Sequence, residues 1–80
     1  MPAMEELRAE KMRSVPSDRG PQADVLLIEP DGQEHQVRCL CLDGGNTEIG
    51  VDSSIALFNY LASVYGEDQV LSLCRRETMK

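Results

Sequence analysis

The sequence predicts a small α+β domain of order ββαβ, in which one helix packs on an antiparallel sheet. Three features support this prediction: a hairpin between two apolar runs, a helix with an apolar stripe, and an apolar run after a glycine that ends the helix. Eighty residues suffice for one core, which must be aliphatic because there are only two tyrosines and one phenylalanine, and no tryptophan. A homodimer is one way to supplement so small a core.

Residues 1–22 are expected to be a flexible leader to a single domain at 23–80. Residues 4–13 are rich in helix formers and are a candidate short helix, which on its own would be marginal in water. Pro16, Gly20 and the residues around them predict a linker. Two alternatives stay open for the leader: it orders against a partner or second subunit, or it has no role.

A hairpin between strands at about 24–29 and 33–42 is the strongest local signal. Pro30, Asp31 and Gly32 suit successive positions of a β-turn, since proline pre-sets φ and glycine accepts a positive φ. Both faces of the first strand are apolar. That strand must therefore be central in a sheet or covered on its second face.

The chain after the hairpin predicts a break, a short strand and a helix. Asp43 to Asn46 break the second strand, and 47–51 is a candidate third short strand. The side chains at 52–54 offer N-caps for a helix at about 53–65. The apolar stripe of this helix consists of Ile55, Phe58, Leu61, Ala62 and Tyr65.

Gly66 suits the position just after the C-terminus of that helix. The next apolar run, at 69–75, fits both a buried strand and a helix. We favour the strand, because a helix that ends in glycine often delivers the next strand of an α+β sheet. The alternative is that the chain ends in a helical hairpin.

The net charge of −6 is concentrated in the predicted domain. Nine acidic residues but only one basic residue, Arg38, lie between Asp24 and Asp68. Direct binding to nucleic acid is not expected, because phosphate contacts need clustered lysine and arginine. A basic protein surface would be attracted instead, although acids also keep a small domain in solution without any partner.

The chain offers no catalytic set, since it has one histidine and no serine in a nucleophile elbow. We therefore expect a non-enzymatic protein-interaction module, without a cofactor, that regulates or inhibits a larger macromolecule. It would present acids to a basic, nucleic-acid-binding surface, as small phage-encoded inhibitors do, a comparison by size and charge alone. The expected partner-binding residues are Asp43, Glu48, Asp52, Glu67 and Asp68.

The alternative function is a metal-binding or redox module built from His35, Cys39, Cys41 and Cys74. One histidine and three cysteines are a valid tetrahedral zinc set, and the first three share one strand face. The spacing is not that of a zinc knuckle, however, and a redox C-x-x-C motif is absent from the sequence. The competing interpretation makes the cysteines small core residues and leaves the histidine in solvent.

The sequence predicts a cytoplasmic protein that does not contact membranes. No stretch approaches the roughly 18 apolar residues of a membrane span, and the N-terminus lacks the apolar segment of a secretory signal. Three cysteines, an odd number, do not suggest a disulfide framework.

Overall fold

The computed structural model of the chain describes residues 6–50 and 54–80, apart from the side chains of Asp43 and Ser54. The described elements are β1 Arg8–Ser14, β2 Gln22–Ile28, β3 Glu34–Cys41, a 3-10 turn at Asp43–Gly45, β4 Thr47–Gly50, α1 Ser54–Tyr65 and α2 Glu67–Thr78. The strands form one antiparallel sheet in the order β1-β2-β3-β4. The predicted α+β class is confirmed, although the order of elements differs from ββαβ.

The predicted hairpin is present as β2 and β3. Gly32 has a φ of 93°, and its amide donates to the Glu29 carbonyl at 2.8 Å. The Asp31 carboxylate accepts a hydrogen bond from the Gln33 amide at 3.0 Å. These two bonds close the turn and fix the register of the hairpin.

The helix considered for residues 4–13 is wrong, because over the described part of this range the chain forms β1. β1 pairs with β2 and contains a bulge between Lys11 and Arg13. Since β2 is apolar on both faces, it is most stable between two neighbouring strands, and β1 is the second neighbour. The segment expected as a leader is therefore part of the sheet.

Gly20 allows the loop between β1 and β2 to pack closely against the end of β3. Its φ is +146°, and a Cβ atom at this position would lie 2.2 Å from the Cys41 carbonyl oxygen. The carbonyl of Pro21 accepts a hydrogen bond from the Cys41 amide at 2.8 Å. Residues of the predicted linker thus extend the β2–β3 ladder.

α1 confirms the helix predicted at about 53–65. Leu61 is completely buried, and Phe58 and Tyr65 pack at the margin of the core. Gly66 has a φ of 95° and donates its amide to the Ala62 carbonyl at 2.9 Å, so it ends α1 as predicted. The side chains predicted as N-caps, at 52–54, lie outside the described residues.

The strand favoured for 69–75 is wrong, because this segment belongs to α2. The buried residues of α2 recur with helical spacing, at Val70, Leu73, Cys74, Glu77 and Thr78. Glu77 and Thr78 are polar. The apolar residues alone therefore span too few positions to distinguish a helix from a strand. Acids in the first turn and arginines in the last turn also suit the helix dipole.

The helices cover one face of the sheet, and the core lies between them and the strands. Its buried members are Leu7, Ala23, Val25, Leu27, Val37, Cys39, Leu61, Val70, Leu73 and Cys74. On the opposite face, Asp24 is buried and forms 2.8 Å ion pairs with Arg13 of β1 and Arg38 of β3. Of the helices that the structure describes, neither has the length and apolar character needed to cross a membrane.

Candidate interaction surface

A buried carboxylate, Glu29, fastens α1 to the sheet. It follows β2 directly and is 4% exposed. Its Oε1 accepts hydrogen bonds from the hydroxyls of Tyr60 and Tyr65, both at 2.8 Å, and its Oε2 lies 2.6 Å from His35 Nε2. The contact with His35, followed by the tyrosine bonds, holds the pKa of Glu29 below its ordinary value against the opposing effect of burial. His35 is thus not left in solvent, as one interpretation of the sequence expected.

The structure does not bring all four residues of the alternative metal site together. His35 and Cys39 lie four residues apart on β3, about 13 Å along the strand. Cys39 and Cys74 are adjacent, and the hydrogen bond between them, together with burial, raises the pKa of the Cys74 thiol. Cys41 is also buried, so all three cysteines are core residues. Across residues 6–50 and 54–80, no three His, Cys, Asp or Glu side chains form a metal-holding group.

The predicted partner-binding acids lie on both sides of β4. Glu67 and Asp68 form the exposed first turn of α2, on the helix side of the sheet. Glu48 is exposed in the middle of β4, on the face away from the helices. The side chains of Asp43 and Asp52 lie outside the described residues. The described acids therefore flank β4 instead of forming one patch.

α1 presents an uncharged surface beside the two acids of α2. None of its 12 residues is charged, and one half of the helix faces outward. On this half Ile55 is 79% exposed, Val64 54% and Tyr60 45%. Tyr60 and Val64 lie one turn apart and adjoin each other, whereas Ile55 lies at the opposite margin of this half and lines a groove beside β4. This half of α1 is therefore a candidate contact surface.

A groove runs between β4 and the N-terminal halves of the two helices. It has a volume of about 240 Å³ and is lined by Thr47, Ile49, Ile55, Phe58, Glu67 and Leu71. We refer to it as the β4 groove. Four of the six lining residues are apolar, and Glu67 is the charged one. Pockets for drug-sized ligands measure roughly 300–1,000 Å³, so this groove suits one large side chain.

Comparisons with protein-family models, curated proteins and solved structures found no match.

Sequence reasoning missed both the Glu29 cluster and the β4 groove. The first had a usable signal, because Glu29 continues the alternation of Val25 and Leu27 and should face the helices. The β4 groove had no such signal, because it is formed by three elements that are separate in the chain. Within each element, its apolar residues fit the ordinary pattern of a side that packs on the core.

Proposed function

We propose that this protein is a non-enzymatic protein-binding module that regulates or inhibits a larger macromolecule by covering a basic surface on it. The observation that carries the proposal is the uncharged, exposed half of α1 next to the acids of the first turn of α2. Protein interfaces commonly combine an apolar centre with a polar rim. Here Ile55, beside the β4 groove, would be in the centre, and Glu67 and Asp68 in the rim.

The distribution of carboxylates supports the same proposal. Asp24, Glu29 and Glu77 are buried and are bonded to side chains of the protein itself. In contrast, Glu67 and Asp68 are exposed and make no hydrogen bond or ion pair with a described residue. Among the described acids, Glu67 and Asp68 are therefore available to attract and orient a basic partner, whereas the exposed Glu48 forms a 3.5 Å ion pair with Arg19.

The proposal predicts that reversing the rim charges weakens partner binding. The tagged protein would capture partners from its native host at low and moderate salt, and the affinity of the captured protein would then be measured. The double variant Glu67→Lys/Asp68→Lys should bind about tenfold or more weakly, with a smaller salt dependence.

A matched control is Glu10→Lys/Glu34→Lys. It changes the net charge by the same amount, from −6 to −2 because two acids become two bases, but its exposed sites lie far from β4. This control should retain most of the affinity. Equal affinity and equal salt dependence in the wild type and both double variants would refute electrostatic recognition through the rim.

A further inference from the structure

We infer that β4 receives an extended, basic segment of the partner as a fifth strand of the sheet, with one large apolar side chain in the β4 groove. This inference rests on the proposed function and adds the mode of binding and the chemistry of the partner segment. Strand addition to an exposed sheet edge is a recurring mode of peptide recognition, in which backbone bonds give affinity and pockets give specificity.

The hydrogen-bond pattern shows that β4 directs backbone groups toward its outer edge. The Leu42 amide donates to the Asn46 carbonyl at 2.7 Å, which sets the phase of the β3–β4 ladder. In an antiparallel ladder the residues alternate between bonding inward and pointing outward. Glu48 therefore bonds to β3, whereas Thr47 and Ile49 direct their amides and carbonyls away from it. No described strand pairs with this outer edge.

The β4 groove lies beside the outward backbone groups of Thr47 and Ile49. Thr47 and Ile49 line it with their side chains, and α1 and α2 form its opposite wall. An added strand would point alternate side chains to this side of the sheet. One of them would enter the groove and meet Ile55, Phe58 and Leu71, so an apolar residue is favoured there.

Charge favours a basic partner segment over a second copy of this chain. Two copies that paired through β4 would bring together two chains of net charge −6, with Glu48 and Glu67 of both near the new seam. A segment with lysine or arginine flanking its apolar residue would instead face Glu67 on the groove side of the sheet and, on the other side, Glu48, which forms an exposed 3.5 Å ion pair with Arg19. The occupant is thus an extended peptide of alternating apolar and basic character.

The test uses the full-length protein and a displayed library of random peptides about ten residues long, the upper length of common strands. The blocking variant is Thr47→Pro, which removes an outward amide and places a ring at the edge. Asn46 precedes it with φ −78° and ψ 145°, a conformation that a following proline accepts, so β4 should be retained. Thr47→Ala is the matched control, because it removes the hydroxyl and γ-methyl groups and keeps the amide.

We expect selected peptides to combine basic with β-branched or aromatic residues. They should bind the wild type and Thr47→Ala with similar affinity, and Thr47→Pro at least about tenfold more weakly. In the wild type, bound peptide should slow hydrogen exchange at the Thr47 and Ile49 amides without changing exchange at Lys11. This second measurement does not depend on the folding of any variant.

The inference is overturned if selection gives no peptide, if peptides bind Thr47→Pro as tightly as the wild type, or if they protect amides elsewhere. These failures can be separated from failure of the proposed function. Should the reversal at Glu67 and Asp68 still weaken the natural partner, the function stands and only the binding mode is wrong. Should that reversal also have no effect, both are wrong.

Discussion

The two edges of the sheet are built in opposite ways. At the β1 edge, the outward amide of Lys11 donates to the Glu77 carboxylate at 3.1 Å, and Lys11 Nζ donates to the Lys80 carbonyl at 2.9 Å. The bulge after Lys11 further interrupts this edge. At the β4 edge, Thr47 and Ile49 point their backbone groups outward, and no described strand covers them.

This difference indicates that the open edge is not simply an unavoidable end of the sheet. Edge strands promote unwanted pairing, and proteins commonly block them with charges, bulges or covering elements. The chain uses all three devices at β1, where α2 supplies the covering element. At β4 the described residues supply one charge on the strand, Glu48, and no bulge or covering element. The two edges therefore differ in their protection, and the less protected edge lies beside the β4 groove.

Acid should disrupt the contacts of three buried carboxylates, two of which bind residues of the closed β1 strand, and this is the largest effect we expect. The pKa values of Asp24, Glu29 and Glu77 lie below their ordinary values of 3.8, 4.5 and 4.5. The leading causes are hydrogen bonds with Arg38, His35 and Lys80, respectively. Because the unfolded chain binds these protons first, the stabilisation is complete above about pH 4.5 and is lost as pH falls through the lower folded values.

Urea unfolding at a series of pH values from neutral to acid would measure this loss. The variant Glu77→Gln should show a shallower decline, since one of the three linked groups is removed. A free energy of unfolding that stays constant through this range would contradict the assigned pairings.

Removing Glu77 should have the next largest effect. In Glu77→Ala the Lys11 amide loses its acceptor and Lys80 loses its ion pair, so we expect a loss of about 1.5–3 kcal/mol in the free energy of unfolding. The β1 edge would also become available for pairing, which sedimentation would detect as concentration-dependent association.

Glu67→Ala is the control on the same helix. Its side chain is exposed in the first turn, where the interaction with the helix dipole is worth less than about 1 kcal/mol. Equal destabilisation by the two substitutions would mean that Glu77 does not lock the β1 edge.

The smallest predicted effect is a difference in amide hydrogen-exchange rates within the wild-type protein, and it involves no change in stability. In the free protein, the Thr47 and Ile49 amides should exchange with solvent faster than the Lys11 amide, which is bonded to Glu77. Amide exchange followed by NMR on the wild type would compare them directly. Slow exchange at Thr47 and Ile49 would show that the β4 edge is already covered in the free protein.

The sequence predicted those elements whose signals are local. Pro30 to Gly32 specified the hairpin, and Gly66 marked the end of α1, because turn chemistry depends on a few adjacent residues. The two apolar faces of β2 predicted either a central strand or a covered second face, and the structure shows a central strand. The segment that supplies its second neighbour was not predicted, because β1 is mostly polar and resembles an exposed helix by composition.

The candidate surface was only partly predictable. Glu48, Glu67 and Asp68 were identified from charge, and the structure places them at the margins of β4. The apolar centre was missed because residues such as Ile55 fit the buried stripe of an amphipathic helix. Their exposure depends on how far α1 is covered by α2 and the sheet, which a local pattern does not encode.

The Glu29 cluster has an optical consequence. The chain has two tyrosines and no tryptophan, so Tyr60 and Tyr65 account for its intrinsic ultraviolet fluorescence. Both hydroxyls donate to one carboxylate, an arrangement that quenches tyrosine emission. Any event that lifts α1 from the sheet separates these groups and brightens the protein. Tyrosine fluorescence would therefore report the displacement of α1, the helix that we assign to partner contact.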